Sequence, residues 1–330
     1  MGRIMKILVL GAAGMIGRKL IERLLDVGKL RGAAISAIHG FDMVEGQFDY
    51  SGQIELSMSA GDISNAPTIS DLVEPRPDVI FHLAAIVSGE AESDFQKGYR
   101  VNLVGTQNLF SAVADLLNYV PRIVYASSIA VFGAPFPEAI GDEFHTTPLT
   151  SYGTQKAIGE LLLTDYSRKG LFDGIGIRLP TIVVRPGKPN LAASGFFSNI
   201  IREPLSGLPA ELPVSSDVMH WMASPRSAIG FCVRAAEIDG DKVGPRRNLT
   251  MPGLAITVGE MIESLAQVAG NDTAALIERK PNATISEIVA TWPRNFDASR
   301  AESLGFVAEK TFEEIIHAHI DDELGGQLPS

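Results

Sequence analysis

Ile7-Leu8-Val9-Leu10-Gly11-Ala12-Ala13-Gly14-Met15-Ile16-Gly17 decides the fold of this chain. Its first four residues are a short apolar run that reads as a buried strand. Met15, Ile16, Leu20, Ile21, Leu24 and Leu25 then recur with helical period. Between strand and helix, three glycines stand in the spacing GxxGxxG. Glycine lets a ligand or a second backbone segment come close, and a helix N-terminus attracts anions. Strand, glycine turn and helix in that order are therefore the context in which a dinucleotide pyrophosphate is held. A glycine-rich βα turn that holds no ligand would leave the same letters.

Outward from this turn, strand-like and helical patterns alternate. Strands are expected over 5–10, 35–42, 54–58, 79–83, 123–127 and 176–184, and helices over 15–25, 68–72, 95–116 and 152–167. Such alternation predicts an α/β fold: a doubly wound, Rossmann-type parallel sheet covered on both faces. After Arg185-Pro186-Gly187-Lys188-Pro189 the texture changes, with Pro and Gly concentrated as far as Pro225. The chain is accordingly divided into a dinucleotide-binding domain over 1–186 and a smaller C-terminal substrate lobe of loops and short helices over 187–330. A segment near 225–238 is expected to pack back on the first domain.

Bulk properties set limits. At 330 residues and 45% hydrophobic content the chain can fill such a core. Its 28 basic and 39 acidic residues give a net charge of −11, which repels phosphate backbones and argues against a nucleic-acid partner. One cysteine, Cys232, cannot form an internal disulfide and is assigned to core packing; no His/Cys grouping has metal-ligand spacing. With no apolar stretch long enough to span a bilayer and no cleavage site after the N-terminal run, no membrane role is expected and the cytoplasm is the default location.

Tyr152-Gly153-Thr154-Gln155-Lys156 puts a phenol and an ammonium four residues apart at the start of an expected helix, where they share a face. A neighbouring cation favours the phenolate, which would make Tyr152 a general base. The same spacing occurs by accident on solvated helices. Asp42, at the end of the second strand and followed by the uncharged Met43 and Val44, is placed to accept hydrogen bonds from adenosine ribose hydroxyls and to repel a 2′-phosphate. That favours NAD over NADP, against the alternative of a turn-capping aspartate.

The glycine turn, Tyr152 with Lys156, and Ser127-Ser128 between them resemble the extended branch of the short-chain dehydrogenase/reductase superfamily, the NAD-dependent epimerases and dehydratases. The resemblance extends over His82-Leu83-Ala84-Ala85, Asn102-Leu103-Val104-Gly105-Thr106, Val124 to Gly133, and Asp297 to Phe306. It implies a catalytic set of Tyr152 as base, Lys156 on the nicotinamide ribose and as the group lowering the Tyr152 pKa, and Ser128 at the reacting oxygen. For NAD it implies contacts with Gly11, Gly14, Met15, Ile16, Gly17, Asp42, Asp62, Ile63, Leu83, Ala84, Ala85, Asn102, Pro180 and Ile182. Asn102 would support a proton relay or simply bridge helix and sheet backbone. His82 and Arg178 are read as structural, and Arg300 as the partner of Asp297.

Sugar-nucleotide enzymes of the branch carry a GPG turn and a later Arg-Asp pair, whereas this chain has Arg185 to Pro189 and His220 to Ala228. With Ala192 to Ser198 and Ile201 to Leu205, these segments are similar to the D-erythronate dehydrogenase subfamily. That likeness implies NAD-dependent oxidation of the C2 hydroxyl of a small sugar acid. A carboxylate suits the planar fork of an arginine, so Arg185 and Arg226 are candidates, each with a surface role as the alternative. Ser194 and His220 are candidate hydroxyl partners, and the resemblance implies that Thr181 reaches the substrate and that Ser127, beside Ser128, also touches it. A homodimer through the helices over 95–116 and 152–167 is expected. A sugar-nucleotide epimerase and a non-catalytic dinucleotide-binding protein remain as alternatives.

Overall fold

The computed structural model describes residues 4–187 and 194–328. In chain order its strands are β1 (Ile4–Leu10), β2 (Lys29–Leu30), β3 (Ala33–Asp42), β4 (Glu55–Ala60), β5 (Val79–His82), β6 (Arg122–Ser128), β7 (Asp173–Leu179), β8 (Thr181–Ile182), β9 (Ala210–Leu212), β10 (Met219–Ala223), β11 (Asn248–Thr250), β12 (Leu254–Thr257) and β13 (Ile277–Arg279). The main sheet runs β4-β3-β1-β5-β6-β7-β11, all parallel, and β2 adds a short antiparallel pair to the start of β3. Chain order reverses across β1, which has β3 on one side and β5 on the other. In open α/β sheets that reversal opens a crevice beyond the carboxyl ends of the strands.

The helices used below are α1 (Met15–Val27), α2 (Ala66–Val73), α3 (Ser88–Ser93), α4 (Phe95–Gly98), α5 (Gly105–Ala114), α6 (Ser151–Arg168), α7 (Gly195–Leu205) and α8 (Pro225–Glu237). Alternation along β1 sorts its side chains between the two faces of the sheet. Ile7 and Val9 join Leu20, Ile21 and Leu24 of α1 and Phe231 of α8. Leu8 and Leu10 join Ile69 of α2, Leu109 and Phe110 of α5, and Leu163 of α6. Each such side chain contributes about 1.5–3 kcal/mol by leaving water, which is why so short an apolar run organises two cores. Cys232 is buried in the α1/α8 core.

Three expectations need correction. The strand over 176–184 is broken at Pro180, which has no N–H for a ladder bond. β7 ends at Leu179, and β8 leaves the main sheet to pair with β10. The single helix over 95–116 is α4, a π-helical stretch at Tyr99–Val104, and α5, preceded by α3. The wider turn coincides with buried Asn102, whose side chain is bonded to the Ile86 backbone rather than turned outward. Beyond residue 187 the chain is more regular than expected. Among the described residues there it builds a β12-β10-β8 sheet, a β9-β13 pair and helices such as α7, Val258–Ala269 and Phe312–Glu323 around a second core. Proline marks helix starts and ends in this region, as at Pro225 in the first turn of α8 and Pro204 near the end of α7, and so hides the amphipathic pattern. Lys188, Pro189, Ala192 and Ala193, quoted in the sequence comparison, lie outside the described residues.

Candidate active site

Gly11 has φ +90°, and a Cβ there would lie 2.6 Å from Ala84 N. A Cβ on Gly17 would collide with the Gly11 carbonyl and lie 2.8 Å from Ala12 Cα, so this glycine lets α1 sit on the turn. Gly14 differs, with only Gly11 O at 3.4 Å. As N-cap of α1 it supplies no side-chain acceptor, and the first turn holds no acidic residue. The opening N–H groups of α1 therefore face the crevice with the positive end of the helix dipole, which suits a pyrophosphate. Asp42 closes β3 and accepts from Ala13 N at 2.9 Å and Met43 N at 2.6 Å, leaving lone pairs for ribose hydroxyls beside exposed, uncharged Met43 and Val44. Asp62 accepts from Ser64 N and Oγ, which hold its pKa below the usual carboxylate value; Ile63 is buried against Gly105.

Beyond the strand ends lies a cavity of about 520 Å³. It gathers Met15 and Ile16 from α1, Leu83 and Ala85 after β5, Ser127 and Ser128 from β6, and Tyr152 and Lys156 from α6. Pro180, Thr181, Ile182, Arg185, Ser194 and His220 complete the opposite wall. Gly11, Gly14, Gly17, Asp42, Asp62, Ile63, Ala84, Asn102 and Arg226 do not line it. Of these, Gly11, Gly14 and Gly17 form the turn and start of α1, Asp42 closes β3 and bonds Ala13 N, and Ile63 is buried in the core. Asn102 bonds Ile86 N, Ile86 O and Gln155 Oε1. Arg226 pairs with Asp321 and Asp322 on an exposed surface; it is the second residue of α8, and that register turns it from the cleft.

Thr150 caps α6 by accepting from Gly153 N, which fixes the first turn that carries Tyr152. Lys156, one turn on, is buried; its Nζ donates to Ala126 O at 2.8 Å and lies 5.0 Å from the Tyr125 ring centroid and 5.8 Å from that of Tyr152. Desolvation pushes its pKa down to about 7, against the pull of Glu160. The Tyr152 phenol is shifted upward because burial outweighs the lowering effects of Ser128 and Arg185. Lys156 is thus not what opposes burial at the phenol in this state, since its ammonium is turned to the Ala126 carbonyl.

Several partners were not foreseen. Glu160, a further turn along α6, accepts from Ser127 Oγ at 2.6 Å and takes both Nε and an Nη of Arg178 at 2.9 and 2.8 Å. The Ser127 hydroxyl is therefore engaged away from the cleft. Four-residue spacing from Lys156 was the one signal that could have exposed Glu160. Arg300 pairs with Asp142 and the carbonyls of Val243, Arg246 and Asn248 instead of Asp297, which caps Ser299 N. Asn199, Arg202, Thr291, Trp292 and Pro293 also line the cleft, and no sequence spacing ties them to Tyr152. Arg185, half-buried, donates from Nε to Ile182 O at 3.0 Å and from an Nη to Ser194 Oγ at 3.1 Å. Burial lowers its pKa and Tyr152 raises it.

A glycine-turn helix, an aspartate that closes the second long strand and bonds the glycine turn, and a Ser/Tyr/Lys cluster at a topological switch point are the features of a dinucleotide-dependent enzyme. Residues 7–222 match the NAD dependent epimerase/dehydratase family; the chain belongs to it and is an NAD-dependent oxidoreductase. Among its relatives, D-erythronate dehydrogenase of Cupriavidus necator is 42% identical over 96% of this chain and 98% of its own length. D-erythronate dehydrogenase of Haemophilus influenzae is 36% identical over 97% and 100%. A crystal structure described as the nucleoside-diphosphate-sugar epimerase from Agrobacterium tumefaciens is 58% identical, with a TM-score of 0.97 over 99% of this chain and 97% of that one.

Proposed function

We propose that this enzyme oxidises the C2 hydroxyl of a small sugar acid, D-erythronate foremost, to the 2-oxo acid. The carrying observation is Arg185: a half-buried guanidinium beside Tyr152 for which no described residue offers a carboxylate within 4 Å. A desolvated cation without an anion is costly, and a substrate carboxylate would offset that cost through a charge-assisted fork. The curated relatives' names point the same way.

With the carboxylate on Arg185, the C2 oxygen comes within reach of Tyr152 and Ser128. Tyr152, as phenolate, takes the hydroxyl proton, and Ser128 hydrogen-bonds the oxygen as it becomes a carbonyl. Bound NAD supplies the hydride acceptor. Lys156 holds the nicotinamide ribose through the donors left over from Ala126, Asp42 takes the adenosine ribose and the α1 N-terminus takes the pyrophosphate. We place this activity in the cytoplasm, with NAD exchanging as a co-substrate.

A second reading, sugar-nucleotide epimerisation, is favoured by the Agrobacterium structure's description. The two differ in net redox change. Purified enzyme given NAD and four- to six-carbon aldonates should show steady growth of the NADH band, greatest with erythronate. No growth with any acid, together with interconversion of a sugar nucleotide at constant NADH absorbance, would replace the dehydrogenase reading with the epimerase.

A further inference from the structure

We infer that His220 is a positioning residue that fixes the Thr181 hydroxyl as an acceptor facing the cleft, so that the site selects substrates carrying a hydroxyl in addition to the one oxidised. The inference rests on the proposed reading of the cleft and adds to it a determinant of substrate class.

The break at Pro180 creates the arrangement. β8 pairs in parallel with β10, with Thr181 opposite Met222; His220, two residues earlier on β10, shares that face. Its Nε2 comes 2.6 Å from Thr181 Oγ1. The ring has little freedom, lying parallel to Phe197 (5.3 Å between centroids, 4° between planes) and against Trp292 at 5.4 Å. It is 2% exposed, whereas Thr181 is half-buried and lines the cleft.

Burial pushes the His220 pKa down to about 4, so the ring is neutral near pH 7 and has one donor and one acceptor nitrogen. Nδ1 is buried with no partner in hydrogen-bonding geometry, but the Pro293 carbonyl lies close enough to oppose the downward shift. A carbonyl oxygen only accepts. With the ring proton on Nδ1, Nε2 accepts from the Thr181 hydroxyl. The single Thr181 proton is then committed inward, and only lone pairs remain for the cleft. Such an oxygen pairs with a substrate O–H and is left unpaired by a C–H in its place.

The test compares kcat/KM for NADH production from the four-carbon 2,3,4-trihydroxy acid and from its 3-deoxy and 4-deoxy counterparts, in wild type, T181V, H220F and H220Q. Wild type should favour the parent acid over one of the deoxy acids by about tenfold or more, the worth of a hydrogen bond in a dry site. T181V and H220F should bring that ratio to near one. H220Q, whose amide oxygen can accept from Thr181, should recover part of it. Thermal melting and NAD affinity report whether each variant folds; if H220F does not, T181V and H220Q carry the comparison. A fall in kcat/KM shared by all three acids with the ratio intact would mean a purely structural ring and overturn the inference. Equal wild-type rates on the three acids would overturn it too while leaving the dehydrogenase reading in place. Failure of wild type to oxidise any hydroxy acid removes that reading first, and this inference with it.

Discussion

Tyr152 is where sequence and structure meet most closely and where the physical reason for function changed. The four-residue spacing correctly put Tyr152 and Lys156 on one face of a helix, since helical periodicity is a local property. The electrostatics were not legible, because they depend on chain segments brought in from elsewhere: Arg185 and Ser128 favour the phenolate, while the closed wall of the cleft raises its pKa. Tyr152→Phe should lower kcat for aldonate oxidation by on the order of a hundredfold or more with NAD affinity retained, read as NADH formation and cofactor titration. The sign at Arg185 follows from the active species. Oxidation needs the phenolate, so the rate rises as pH increases through the Tyr152 pKa, and the Arg185 cation brings that pKa down. Arg185→Met should therefore move the ascending limb of the rate profile to higher pH and raise KM for the acid. Arg185→Lys should keep the limb near its wild-type place while still raising KM, because an ammonium keeps the charge but not the fork. A limb unmoved by Arg185→Met would detach this residue from the phenol.

At the scale of elements, the sequence revealed what repeats locally. The β1-turn-α1 unit, the parallel strands up to Ser128 and the α6 helix all show short apolar runs or helical patterning, and the structure contains them within a few residues. What escaped were departures from period: the π-helical turn around Asn102, and the switch of sheets at Pro180 that puts Thr181 beside a histidine 39 residues away. Such features rest on side-chain partners distant in sequence. The glycine turn allows structural and ligand-binding roles to be separated by experiment. Gly17→Ala places its methyl against the Gly11 carbonyl and the Ala12 backbone, neither of which can rotate aside, so both stability and NAD affinity should fall. Gly14→Ala meets nothing closer than 3.4 Å and keeps an ordinary φ of −69°. Its melting temperature should stay near wild type while NAD affinity drops by roughly tenfold or more, because the methyl occupies the approach of the pyrophosphate. Calorimetric titration with NAD beside thermal melts checks both variants; full affinity in Gly14→Ala would move the pyrophosphate away from this turn.

For the whole molecule, the sequence delimits a parallel sheet, but the second core around α7 and the helices Val258–Ala269 and Phe312–Glu323 becomes visible only when distant segments are seen packed together. The described residues that line the cleft all belong to one chain, which bears on assembly. α6 turns Lys156, Glu160 and Leu163 inward and leaves Leu161 69% exposed; the neighbouring α4 to α5 run leaves Phe95 52% and Val104 42% exposed. Single exposed apolar residues are common, so any one of these is weak evidence. If the expected second copy covers these two adjoining helices, burial of each residue would contribute about 1.5–3 kcal/mol. Wild-type protein should therefore run at twice the chain mass in light scattering. Leu161→Arg places a charge at the centre of the proposed contact and should shift the mass toward that of one chain at micromolar concentration. Because no residue of the cleft need come from the partner, turnover per chain in Leu161→Arg should stay within about twofold of wild type, provided the helix keeps its inner face packed. A wild-type mass of one chain would remove the dimer without touching the chemistry, whereas a monomeric Leu161→Arg that has lost turnover would show that pairing orders the first turn of α6 around Tyr152.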